Sequence, residues 1–166
     1  MKLILVRHAP AGDPGPKYPD DRARPLTKTG IQKFKKAAAG LGKIVKPDAV
    51  LCSPFARTMQ TADLLNWDGN WPMAVADDSL EDGRDPSEVI DAIKKLPGKP
   101  ATVGIVGHGP ALGMLSQYLL GTGDGETPVH FNKGAAAMIE LPKRSMKPGT
   151  GTLTWSMRRK ELKQHR

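Results

Sequence analysis

The sequence predicts an α/β fold of three layers, with helices on both faces of a mostly parallel central sheet and an antiparallel strand at its edge. Three observations carry this. Short apolar runs alternate along the chain with helical patterns, the order that builds parallel strands joined by crossover helices. The runs Leu3–Val6 and Ala135–Leu141 hold almost no polar residue, as strands covered on both faces should. The last two runs are joined by "PKRSMKPGTG", with no helical pattern between them, which reads as an antiparallel hairpin.

Taken in order, the first strand over Leu3–Val6 leads through Arg7 and His8 into a loop at Pro10–Pro25. Ile31, Phe34, Ala38 and Leu41 then recur at three- and four-residue spacing, which marks one buried face of a helix. Ala49–Cys52 reads as the second strand, and "SPFARTMQTADLL" as a helix with Ser53 at its N-cap and Pro54 at its first position. A loop is expected at Asn66–Pro72, followed by a short strand at Met73–Ala76. "PSEVIDAIKKL" predicts a helix from Pro86 that ends before Pro97, with Val89, Ile90 and Ile93 inward. The strand Ala101–Val106 precedes a helix in "GPALGMLSQYLL", starting at Pro110 and stopped by Gly121. A loop at Gly121–Pro128 and the strands Ala135–Leu141 and Thr152–Met157 complete the order. With no repeat, linker or second composition, residues 1–166 read as one domain with a short basic C-terminal tail.

Composition narrows the function classes. The 166 residues are 39% hydrophobic and 25% charged, ordinary for a globular chain rather than a disordered one. No apolar run approaches the ~20 residues needed to cross a bilayer, and Leu3–Val6 is too short for a signal-peptide core. A lone cysteine, Cys52, excludes an internal disulfide framework and agrees with a reducing compartment. A cytoplasmic protein without a membrane partner is therefore expected. Lys and Arg number 25 against 17 Asp and Glu, which favours anionic partners. The excess gathers at Lys28, Lys33, Lys35, Lys36, Lys43 and Lys46, and in the tail "RRKELKQHR". With only 5% aromatic residues and no nucleic-acid motif, these runs read as solvated faces, and no nucleic-acid partner is expected.

In an open α/β sheet, ligands bind outside the carboxyl ends of the strands. The first strand ends there in Arg7-His8, the second in Cys52-Ser53 with Arg57 close behind, and the Ala101–Val106 strand in Gly107-His108-Gly109-Pro110. Arg57 and His108 sit at helix N-termini, where a positive side chain is unfavourable unless an anion offsets it. An anion bound between them reverses the conflict, and phosphate fits the donors. His8, neutral at pH 7, is then a candidate nucleophile toward phosphorus. Arg7, Arg57 and His108 would stabilise the oxygens of the transferring group. Neither a metal nor another cofactor is needed, because guanidinium charge takes that role.

Other patterns carry less. "GIVGHGP" breaks the dinucleotide spacing at Pro110 and Leu112, and His130 and His165 lack metal-ligand spacing. Cys52 reads as a small buried residue, and Trp67, Trp71 and Trp155 as core-packing or loop-pinning groups.

Four segments, "VRHA", "RPLTKTG", "SPFARTMQTA" and "VGHGPALG", together resemble the histidine phosphatase superfamily, and in particular its SixA-type phosphohistidine phosphatases. The resemblance implies a phosphoglycerate mutase-like fold, a nucleophilic His8, and Arg7, Arg57 and His108 around the phosphoryl group. It places Arg24, in "RPLT", as a substrate contact. The family's Arg-His-Gly is Arg7-His8-Ala9 here, a small residue for a small residue. A general acid is left open between Glu81 and Asp82 in "SLEDGRDP", a turn that equally serves to cap the next helix. The implied substrate is a phosphohistidine on a signalling or phosphotransfer protein. The alternatives are a small phosphoester, or a phosphate-binding module without turnover; the intact His8 argues against the last.

Overall fold

The computed structural model describes residues 1–123, 125 and 128–165. Part of the loop expected at Gly121–Pro128, and the final residue of the basic tail, lie outside the described residues. Among the described residues six strands and five α-helices follow in the order β1 (Lys2–Arg7), α1 (Lys28–Ile44), β2 (Ala49–Cys52), α2 (Ala56–Gly69), β3 (Val75–Ala76), α3 (Pro86–Lys94), β4 (Thr102–Gly107), α4 (Gly109–Leu120), β5 (Ala136–Glu140), β6 (Thr152–Met157) and α5 (Arg159–Leu162). The sheet order is β3-β2-β4-β1-β5-β6. The first four are mutually parallel, β5 runs antiparallel to β1, and β6 antiparallel to β5.

Because strand side chains alternate between faces, the apolar runs feed two cores. Ile4, Val6, Val50, Cys52, Val106, Ala136 and Met138 meet α1, α2 and Leu162 of α5 on one face. Leu3, Leu5, Leu51, Val103, Ile105, Ala137 and Ile139 meet α3 and α4 on the other. The chain leaves β1 toward α1 and leaves the adjacent β4 toward α4, so these two exits diverge to opposite faces. That divergence opens a crevice at the carboxyl ends of β1 and β4, the place where such sheets bind ligands.

The structure corrects four details. Ser53 is not the N-cap of α2: the helix begins at Ala56 after Phe55, which makes no capping side-chain bond. The backbone of Ser53 still follows the strand, its N–H donating to Val106 O at 3.0 Å, so the chain turns later than Pro54. Nor is the whole of Asn66–Pro72 a loop, since α2 continues to Gly69 and ends where Asn70 adopts a left-handed conformation (φ 55°). Nothing in Asn66-Trp67-Asp68 breaks a helix. Trp67 neither packs nor pins, being 70% exposed, because α2 turns Leu64 and Leu65 inward instead. The connection between β5 and β6 contains a 3-10 turn, Pro142–Arg144. Trp71 and Trp155 do pack: Trp71 is fully buried and donates its Nε1–H to Val45 O at 2.9 Å, and Trp155 lies partly buried against the α1 face.

Candidate active site

Arg7 is paired in register with Gly107, so β1 and β4 deliver His8 and His108 side by side. The backbone of His8 is held on both sides: its N–H donates to Gly107 O and its carbonyl accepts from Gly134 N–H, both at 3.0 Å. The next residue is tied to α2, with Ala9 N–H donating to Thr61 Oγ1 at 2.9 Å, while Thr61 Oγ1 donates to Arg57 O at 2.7 Å.

The imidazole of His8 is oriented by its own neighbour. Nδ1 lies 2.8 Å from Ala9 O; a carbonyl only accepts, so Nδ1 carries the proton and Nε2 keeps its lone pair. Burial pushes the His8 pKa down to about 3, against the Ala9 hydrogen bond and aided by His108, Arg57 and Arg7. A buried neutral ring with one free nitrogen results.

His108 faces it, the ring centroids 5.7 Å apart at 63°. Its Nε2 lies 2.8 Å from Ser53 Oγ, and that oxygen accepts a long bond (3.5 Å) from Phe55 N–H. With the Ser53 hydroxyl donating to Nε2 while it accepts from Phe55, the ring proton sits on Nδ1; the opposite tautomer would have Nε2–H donate to the same oxygen. Nδ1 is buried without a hydrogen-bond partner; Asp82 Oδ2 stands 4.0 Å away, beyond bonding range. Burial pushes the His108 pKa down to about 4, with Arg57 adding to the effect and Asp21 opposing it.

The arginines are anchored on their outer nitrogens. One terminal nitrogen of Arg7 donates to Phe131 O at 2.6 Å. Its guanidinium lies against Gly109, where a Cβ would stand 3.0 Å from the Arg7 Cζ. Arg57 spends one terminal nitrogen on Asp21 O and the other on Asp21 Oδ2, both at 3.0 Å, and stacks over Phe55 with its Cζ 4.9 Å from the ring centroid. Burial disfavours the charge of both guanidinium groups, with Asp82 opposing this at Arg7 and Asp21 opposing it at Arg57. The Nε–H of each is buried and unpartnered. Four buried side-chain polar atoms lack a partner among the described residues, and three of them are Arg7 Nε, Arg57 Nε and His108 Nδ1. Buried donors are almost always satisfied, so these three atoms keep hydrogen-bonding capacity that a ligand can use.

Arg24 is brought to the same rim but is tied to Asp21 Oδ1 at 2.8 Å through Nε and to Gly12 O through a terminal nitrogen. Asp21 thus bridges Arg24 and Arg57. Sequence reading missed Asp21, although its i,i+3 spacing to Arg24 was a usable signal. It also missed the role of Ser53, whose capping signature pointed elsewhere. The two candidate acids separate: Glu81 pairs with Arg22 at 3.2 Å, whereas Asp82 Oδ1 accepts from Ala111 N–H at 3.3 Å, beside the start of α4. Burial raises the Asp82 pKa. Cys52 donates to Ser53 O, and burial pushes its thiol up to about 12, which makes it inert. Among the described residues no three His, Cys, Asp or Glu side chains group as metal ligands.

Fold and site together define an α/β protein with two buried neutral imidazoles and two arginines at the carboxyl edge of its sheet. Residues 3–84 match the family described as "Histidine phosphatase superfamily (branch 1)". The protein histidine phosphatase SixA, solved in complex with tungstate, is 30% identical over 98% of this chain and 99% of that chain, with a TM-score of 0.81. The chain belongs to the histidine phosphatase superfamily. A protein assigned as SixA from Agrobacterium tumefaciens (20% identity, 95% of this chain and 97% of that one, TM-score 0.76) shares the fold. So does the alpha-ribazole phosphatase from Shigella flexneri (19% identity, 96% and 97%, TM-score 0.71). No curated protein matches the chain.

Proposed function

We propose that this protein is a metal-independent phosphohistidine phosphatase that works through a covalent phosphohistidine on His8. The observation that carries the reading is a buried His8 ring whose Nε2 keeps its lone pair, edge-on to His108 at 5.7 Å and close enough to Arg7 and Arg57 for their charges to act on it. In the first step Nε2 attacks phosphorus; the P–Nε2 bond forms as the bond from phosphorus to the substrate's ring nitrogen breaks. The electron pair stays on that nitrogen, which takes a proton. Arg7, Arg57 and His108 Nδ1–H bind the equatorial oxygens, where charge accumulates. Water then attacks the phosphoenzyme, a P–O bond replaces P–Nε2, and phosphate leaves. Asp82, with its raised pKa and its place beside His108, is the better placed donor of the first proton; Glu81 is committed to Arg22. Arg24 acts through Asp21, fixing Arg57. An imidazole is a far better leaving group than an alkoxide, so a weakly placed acid suffices.

The likeness to a SixA solved with tungstate, a tetrahedral oxyanion, supports this assignment. The test is trapping: incubation with ³²P-labelled phosphohistidine peptide should label the wild type and not His8→Ala, in the presence of EDTA. Dependence on a divalent metal, or labelling of His8→Ala, overturns it. One observation favours a second reading as a small-molecule phosphomonoesterase: a cavity of about 500 Å³ beside Arg7, lined by Met114, Val129 and Phe131, has room for an organic group. Sugar phosphates and nucleotides in the same assay separate the two readings.

A further inference from the structure

We propose that the groove between α1 and α5 is a docking surface for an acidic protein segment flanking the phosphohistidine; this rests on the phosphatase reading above. Lys33, Lys35 and Lys36 from α1 and Arg159 from α5 line a cavity of about 540 Å³. The three lysines are exposed. None of these four cations is in an ion pair among the described residues, and α1 contains no carboxylate at all. Sequence patterning reads this run either as a solvated face or as a lysine face that docks an acidic partner; the fold adds a second basic wall from the far end of the chain.

Its position gives the charge a use. The N-terminus of α1 leans on the loop that follows His8: Thr27 N–H donates to Pro10 O at 3.2 Å, and Gly30 packs so closely on Pro10 that a Cβ there would overlap its carbonyl. Lys33 and Lys36 lie one and two turns further along, about 5 and 9 Å at 1.5 Å per residue. Arg159 approaches from the other side. Its Cδ lies 3.0 Å from where a Cβ of Gly134 would stand, and Gly134 N–H donates to His8 O. Both walls of the groove thus touch segments that adjoin His8, the loop after it on one side and the Gly134 backbone bonded to its carbonyl on the other.

The opposite end of the same sheet edge carries the reverse charge. The segment from β3 into α3 holds Asp77, Asp78, Glu81, Asp82, Asp85 and Glu88, with Arg84 as its one cation. A partner that places its phosphohistidine in the pocket meets a basic wall on one side and an acidic one on the other. Such a field fixes orientation as well as raising encounter rate. It selects a polypeptide with carboxylates to one side of the phosphohistidine, and it disfavours a long polyanion such as duplex nucleic acid, which would also run across the acidic loop.

The experiment compares two synthetic phosphohistidine peptides, one flanked by Asp and Glu and one by Ser and Gly, with phosphoramidate as the small substrate. Wild-type kcat/KM should favour the acidic peptide by about tenfold, with the preference shrinking as salt shortens the screening length. The variant K33E/K36E/R159E should lose the preference and turn over phosphoramidate at the wild-type rate. Equal kcat/KM for the two peptides, or a preference that survives the charge reversal, overturns the proposal. Phosphoramidate hydrolysis reports the phosphatase reading by itself, and anisotropy of the unphosphorylated acidic peptide reports docking by itself. Tighter wild-type binding to a 20-base-pair duplex than to that peptide would also overturn it.

Discussion

At the scale of single residues, the site depends on where two protons sit. Ser53 Oγ bonds His108 Nε2, which with the hydroxyl donating puts the ring proton on Nδ1, so on the proposed mechanism Ser53→Ala should lower kcat by about tenfold, the worth of one oriented hydrogen bond, with KM little changed. Loss of the His108 Nδ1–H resonance in the variant would identify the tautomer as the cause; an unchanged kcat would refute it. Acid sensitivity follows from the same rings. His8 and His108 stay neutral in the folded protein down to about 3 and about 4 but take a proton near 6.5 when unfolded. Between pH 6.5 and 4 the unfolded chain thus binds more protons, and stability falls on acidification, by up to about 1.4 kcal/mol per pH unit for each ring. Above 6.5 both states are neutral and this slope vanishes. Urea unfolding between pH 4 and 8 should show the slope in the wild type and a shallower one in a His8→Gln/His108→Gln double variant.

At the scale of elements, close backbone approach packs α1 against α2 and α5, its neighbours on one face of the sheet. A Cβ on Gly42 would lie 2.0 Å from Gly69 O at the end of α2, and one on Gly40 would lie 1.9 Å from Leu162 O of α5. Gly42→Ala must separate two helices and should cost about 1–3 kcal/mol, read as a lowered urea midpoint at unchanged m-value. Helix periodicity showed which face of α1 is buried, and Phe34, Ala38 and Leu41 are all in the core. The same periodicity could not show that Gly40 and Gly42 are contact points, since a glycine has no hydrophobic signal. The end of α2 was illegible for a related reason: its stop is the left-handed conformation of Asn70, and asparagine is also an ordinary loop residue.

At the scale of the whole molecule, the proposed site concentrates buried cationic groups with unpartnered donors, so an oxyanion that binds them should stabilise the fold. Tungstate or phosphate at a hundredfold excess over Kd should add about 2.7 kcal/mol and raise Tm by roughly 5–10 °C in a chain of this size. His8→Ala should retain most of the shift, because the arginines and His108 supply the grip; Arg57→Ala should lose most of it. Thermal scans with and without tungstate measure both, and a wild-type Tm indifferent to tungstate would contradict the pocket.

The sequence by itself determined the layered α/β architecture, and it placed Arg7, His8, Arg57 and His108 at the carboxyl ends of neighbouring strands, where the fold brings the two rings into contact and the arginines near them. Those readings need only the period of apolar side chains and the identity of residues at strand ends, both local properties. Tertiary structure alone decided that Asp21 locks Arg57, that Ser53 bonds the His108 ring, that Asp82 rather than Glu81 stands beside that ring, and that α5 completes a basic groove with α1. Each of these is a contact between side chains distant in sequence or turned by a bend in the backbone. Such contacts depend on directions and distances that no one-dimensional pattern encodes.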